Sequence, residues 1–137
     1  MTDSTVPITA FYAALLTIWF AVLSLRVIMF RRSNRVSLGT GDSPTLERRI
    51  RAQGNAAEYI PVFLILLGLG ELNGFAEIGL HGFGLAFMIG RLMHGYAFSF
   101  SDGKMSFRVG GMQLTIWSLL LFAAWHLVAV AGPILAG

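Results

Sequence analysis

Cysteine is absent from all 137 residues, which excludes disulfides, thiolate zinc sites, iron–sulfur clusters and a cysteine nucleophile. Charge is scarce as well. Asp, Glu, Lys and Arg together make up 12% of the chain, against ~25% in ordinary soluble domains. So low a figure excludes a disordered tail and a highly charged nucleic-acid arm. Hydrophobic residues are abundant instead, at 55%, more apolar surface than a soluble domain of this size can cover. The length corresponds to one domain at ~150 residues each. No internal repeat and no low-complexity segment interrupts it.

The net charge of +3 is placed unevenly. Seven of the ten basic residues lie between Arg26 and Arg51, and the others are Arg91, Lys104 and Arg108. They mark the ends of apolar runs, the pattern by which a membrane protein orients itself, so nucleic acid is not an expected partner. A bilayer core needs ~20 apolar residues for one helix. Pro7 to Leu25 carries no charge, and after Arg26 come four more apolar residues. This is the first expected span, about residues 7–30, with Arg26 snorkelling to the headgroups. Asp3 is the only charge ahead of it and no basic stretch precedes it, so the segment reads as a retained span and not a cleaved signal peptide.

A polar stretch follows, with Gly39-Thr40-Gly41-Asp42 as the loop tip and Ser43-Pro44 as N-cap and first residue of the next helix. That helix contains Glu47 in its first turn, where the dipole favours a carboxylate. Its span is about 52–70, with a kink expected at Pro61. Glu71-Leu72-Asn73-Gly74 ends it. The third span covers about 78–98, where Gly82, Ala86 and Gly90 form a small-residue stripe suited to close helix approach. After a polar turn at Asp102-Gly103-Lys104, the fourth span runs from about 109 to 131. The chain is therefore expected to be all-α, an integral membrane four-helix up-down bundle. The two basic connections should face the cytoplasm, and the Glu71–Glu77 turn and both termini the other side. Trp19, Trp117 and Trp125 read as packing or interface residues.

Glu58 and Arg91 fall inside spans, where a lipid-facing charge costs ~2.5–3.5 kcal/mol or more. Both sit in the cytoplasmic half, so a buried Glu58–Arg91 pair would satisfy each. Such a pair could serve register alone. However, Arg51, Asn55, Glu58 and Tyr59 share one helical face, and Arg91 and His94 another. A polar stripe on two neighbouring helices reads as a wet pocket open to the cytoplasm. Arg31 and Arg51 can hold carboxylates in bidentate geometry. Glu58 can hold an ammonium group, while Asn55 and Gln53 both donate and accept. These types fit a small zwitterion with extra carboxylates, such as a peptide. No metal site is expected. Arg108 alone reads as either an interfacial anchor or an anion contact, and His94 as either a core histidine near Glu58 or a ligand contact.

The run Glu47-Arg48-Arg49-Ile50-Arg51-Ala52-Gln53-Gly54-Asn55-Ala56-Ala57-Glu58-Tyr59-Ile60-Pro61 closely resembles the signature E-R-x-x-R-A-x-x-N-x-x-E-Y-x-P of the MAPEG family, the membrane-associated proteins in eicosanoid and glutathione metabolism. Gly90-Arg91-Leu92-Met93-His94 and Arg108-Val109-Gly110-Gly111-Met112 look like its later landmarks in bacterial form. The likeness covers nearly the whole chain, residues 1–137 as a single domain. It implies a homotrimer in a bacterial inner membrane, with glutathione as cosubstrate bound between subunits near the cytoplasmic face. Carried over by position, Arg51, Asn55, Glu58 and Tyr59 would hold glutathione, with Gln53, Arg31, Arg91 and His94 assisting. Arg108 would stabilise the thiolate. The second partner would be a lipophilic small molecule dissolved among the membrane lipids, conjugated to glutathione or, if a lipid hydroperoxide, reduced. His94 stands where tyrosine is common, and the turn before Arg108 is of a different type. Leukotriene or prostaglandin synthesis is therefore not implied. A non-catalytic scaffold or accessory subunit of the same fold is the competing expectation. A small transporter finds little support in four spans without a repeat.

Overall fold

The computed structural model describes residues 5–136, so the reading of Asp3 lies outside the described residues. Four helices account for nearly all of it: α1 (Pro7–Asn34), α2 (Pro44–Leu72), α3 (Glu77–Ser99) and α4 (Met105–Ala136). Their boundaries follow local chemistry. At the start of α2, the Ser43 hydroxyl accepts from the amide of Leu46 at 3.3 Å, with Pro44 at the first helical position. Gly74, at φ +72°, turns the chain from α2 to α3, and Gly103, at φ +82°, from α3 to α4. The short connections make sequential helices antiparallel. The helix α2 continues through Pro61 without a break.

The helix α3 packs against all three others, most extensively α4. The core runs along one face of each helix. In α2 it is Ala52, Ala56, Ile60, Phe63 and Leu67, spaced by three or four residues. Phe63 stacks on Phe87 of α3 with ring centroids 4.0 Å apart and meets Phe122 of α4 at 6.0 Å. The outward faces are apolar too, with Ile18, Ile65, Leu127 and Val128 each more than 60% exposed. In water such a surface would aggregate; in a bilayer it meets acyl chains. Three helices, α1, α2 and α4, are long and apolar enough to cross a membrane. The fourth expected span, α3, carries Arg91, two histidines and five glycines. Arg91 and His94 of this helix turn inward, whereas His81 near its start is exposed.

Both bundle ends are stitched by contacts that the sequence pattern did not announce. No side chain of its own caps the start of α1; instead the Glu71 carboxylate, 63 residues away, accepts from the amides of Ile8 at 2.8 Å and Thr9 at 2.7 Å. A carboxylate at a helix N-terminus satisfies orphan donors and the dipole together. At the opposite end Arg26 does not snorkel outward. It donates to the Ser99 carbonyl at 2.6 Å and the Ser99 hydroxyl at 2.8 Å, and lies over the Phe100 ring. It thereby ties α1 to the C-terminus of α3, where a cation is favoured.

The small-residue stripe divides. A Cβ on Gly90 would lie 2.7 Å from Thr115 Oγ1 and 2.9 Å from the Gly111 carbonyl, whereas one on Gly82 would meet nothing within 4 Å. Only Gly90 makes the close approach, against Gly111 of α4. Gly82 and Ala86 line an open apolar groove beside Trp117 and Leu121. Gly90→Ala should therefore destabilise the protein by about 1–3 kcal/mol through overpacking, read as a lower melting temperature in detergent. Gly82→Ala should leave melting unchanged or raise it.

Candidate functional site

One cleft combines charge, depth and volume. It lies between α2 and α4, which barely touch each other, with α3 as its floor. Its volume is about 950 Å³. The helix α2 contributes Glu47, Arg51, Gly54, Asn55 and Glu58, a run at helical spacing that places all of them on one face. The helix α3 contributes His94 and Phe98, and α4 contributes Arg108, Val109, Met112 and Gln113. The cleft is open in the single chain, so its polar groups remain within reach of a solute.

The sequence-derived candidates separate into three groups. Arg51, Asn55, Glu58, His94 and Arg108 are brought together in the cleft. Tyr59 and Arg91 stand behind it. Successive residues of a helix are turned by about 100°, so Tyr59 faces away from Glu58 and packs against the core, its ring 5.1 Å beneath the Arg91 guanidinium. Gln53 and Arg31 lie elsewhere. Gln53 is two positions from both Arg51 and Asn55, hence on the far side of the helix. Arg31 lines a separate surface pocket with Arg32 and Arg35.

The expected Glu58–Arg91 ion pair does not form. Glu58 is exposed at the cleft wall, whereas Arg91 is only 2% exposed. The ion pairs among the described residues are Arg48–Asp102 at 3.5 Å and Arg51–Glu47 at 3.9 Å. Both are solvent-exposed and worth little. The Arg91 fork is used by neutral acceptors: Nη1 donates to Asn55 Oδ1 at 2.6 Å, Nε to Thr115 Oγ1 at 2.9 Å, and Nη2 to Met112 Sδ at 3.9 Å. The indole of Trp19 donates to the Arg91 carbonyl at 3.2 Å, so Trp19 is a packing residue with its N–H satisfied.

The helix α4 begins at Met105, ahead of the expected span start at about 109, and Arg108 completes its first turn. Its guanidinium lies 5.6 Å over the Phe98 ring and donates to Met105 Sδ at 3.3 Å. A cation–π contact of this kind positions the group without neutralising it. Half-buried, and with no ion pair among the described residues, Arg108 is a cation available to an anionic guest. Residues missed by sequence reasoning are Phe98, Met112 and Gln113. Met112 lies four positions after Arg108, a helical repeat that could have found it once Arg108 was suspected.

Comparison with known proteins adds what geometry cannot. The model of the MAPEG family matches residues 9–128. Inner membrane protein YecN of Escherichia coli K12 is 34% identical over 128 residues, covering 88% of this chain and 96% of that protein. Leukotriene C4 synthase of Bos taurus is 35% identical over 111 residues, covering 80% of this chain and 73% of the synthase. The Mus musculus synthase is 36% identical over 114 residues, covering 81% and 69%. With a family match across most of its length and helices fit to cross a bilayer, the chain is an integral membrane protein and belongs to the MAPEG family.

Proposed function

We propose that the protein is a membrane-bound glutathione-dependent transferase acting on lipophilic electrophiles, with reduction of lipid hydroperoxides as a further activity of the same thiolate. The observation that carries this reading is the meeting of Arg51, Asn55, Glu58 and Arg108 in one cleft of an otherwise apolar bundle. These groups match the charges of a tripeptide. Arg51 and Asn55 offer donors to carboxylate or carbonyl oxygens, Glu58 offers an acceptor to an ammonium group, and Arg108 offers a cation to sulfur. The MAPEG resemblance, with leukotriene C4 synthases among the relatives, supports glutathione over other zwitterions. A non-catalytic scaffold would have no need of a charged cleft this large.

The chemistry then needs little from the protein beyond charge and position. A thiol of pKa ~8.5 is mostly protonated at neutral pH. Each unit by which Arg108 lowers it gives the anion ~1.36 kcal/mol of preference. The thiolate sulfur attacks the electrophilic carbon and forms a C–S bond. In a substitution the leaving group departs with its electron pair; in an addition the resulting carbanion takes a proton from water. No protein nucleophile takes part, consistent with a chain that has no cysteine.

The working form in this proposal is a homotrimer. The cleft is open along the side where α2 and α4 fail to meet, and a neighbouring subunit would close it and could deliver its own Arg31. The relative named as an inner membrane protein supports the same location here, with the basic connections cytoplasmic and the termini outside.

Arg108→Ala should abolish the ultraviolet thiolate absorbance produced when glutathione is added to the purified protein. Turnover at neutral pH should fall about 100-fold, the scale of losing one preorganised electrostatic contact. Because deprotonation would then wait for the ordinary thiol range, the variant's activity should climb as pH rises toward ~8.5, where the wild type is already level. An unchanged thiolate signal would refute the role of Arg108. Orientation is checked by single cysteines in this cysteine-free chain. In spheroplasts an impermeant maleimide should label Asn73→Cys and spare Ser37→Cys; the reverse pattern would invert the topology.

A further inference from the structure

We infer that Arg91 is a positioning residue which locks the Asn55 side-chain amide so that only its N–H donors face the cleft, making this wall a reader of acceptor oxygens. The inference rests on the proposed glutathione site and deepens it, since it assigns a role to a residue that does not line the cleft.

The donor inventory decides the orientation. A guanidinium has five N–H donors and no acceptor. The atom of Asn55 that meets Arg91 Nη1 at 2.6 Å must therefore be the carbonyl oxygen, Oδ1. An amide so held has its Nδ2 group left over, and Asn55 lines the cleft. Arg91 in turn cannot swing away. Nε is held by Thr115 Oγ1 at 2.9 Å, and Thr115 donates onward to the Gly111 carbonyl at 2.8 Å. The Gly90–Gly111 contact brings α4 close enough for that reach. Tyr59 lies beneath the guanidinium face. An asparagine at a cleft wall without this brace could present either end of its amide. With it, an incoming carboxylate or carbonyl oxygen is accepted, and an N–H group meets another donor.

A double-mutant cycle on the full-length protein in detergent tests this, with glutathione as the probe and affinity read by equilibrium dialysis. Asn55→Ala should weaken binding by about 10-fold or more, as expected for loss of a hydrogen bond to a charged group. Asn55→Asp, which retains the shape but presents only acceptors, should bind no better than Asn55→Ala. Were the carbonyl directed into the cleft instead, Asn55→Asp would bind as wild type, and that result would overturn the inference. Arg91→Met should weaken binding about 10-fold when Asn55 is present and by less than twofold in the Asn55→Ala background. Equal effects in both backgrounds would make Arg91 a structural residue only. Melting without ligand supplies the control on folding. Asn55→Asp gives the buried cation a counter-charge, so it should raise the melting temperature when Arg91 is present and not when Arg91 is Met. Wild-type protein that binds no glutathione would defeat the proposed function, and this role with it. Additive effects in protein that does bind would defeat the positioning role alone.

Discussion

A guanidinium buried at bilayer depth without a carboxylate is the constraint around which this molecule is arranged. Arg91 has lost its water, and each lost hydrogen bond must be replaced from the protein. Three helices contribute: Asn55 from α2, Thr115 and Met112 from α4, and Arg91's own helix α3 between them. Aromatic faces from Tyr59 and Phe87 cover what the polar atoms leave. Removing one partner would strand a charge, so the register of α2, α3 and α4 is held jointly. The close backbone approach of Gly90 to Gly111 accordingly sits one residue before Arg91 and four before Thr115.

The same arrangement creates the cleft. Because Arg91 takes its contacts from neutral groups, Asn55, Thr115 and Met112, Glu58 is left without an ion pair among the described residues. Arg108, resting on Phe98, is likewise uncommitted. A direct Glu58–Arg91 pair would have neutralised the site. Separating the two charges keeps a carboxylate and a cation free within one cleft, as a zwitterionic guest requires.

Much of this was legible in the residue order. Apolar runs bounded by arginines located the helices to within a few residues. Ser43-Pro44 and Gly74 marked a start and a turn through their own backbone preferences. Arg51, Asn55 and Glu58 announced a shared face through helical spacing, and the surrounding motif announced the family. What was not legible lay across helix boundaries. Spacing states which residues share a face but not what lies opposite, so Arg91 was matched with the nearest carboxylate in depth and not with Asn55. Tyr59 was grouped with Glu58 because it follows Arg51 and Asn55 at helical spacing, yet it lies at the edge of that face, about 100° of rotation from Glu58, and packs against the core. Arg26 carried the ordinary expectation for a cation near a span end, and only the position of Ser99 beside it turned it inward.

The carboxylate of Glu71 seated on the first amides of α1 bears on how the chain is built. Translation delivers the start of α1 more than sixty residues before its acceptor exists. Until then the Ile8 and Thr9 amides must be hydrated at the membrane edge, since hydrocarbon offers them nothing. The N-terminus of α1 is therefore capped by a side chain from the far end of α2 and by none of its own. That one long-range contact ties the outer ends of the first helical hairpin together.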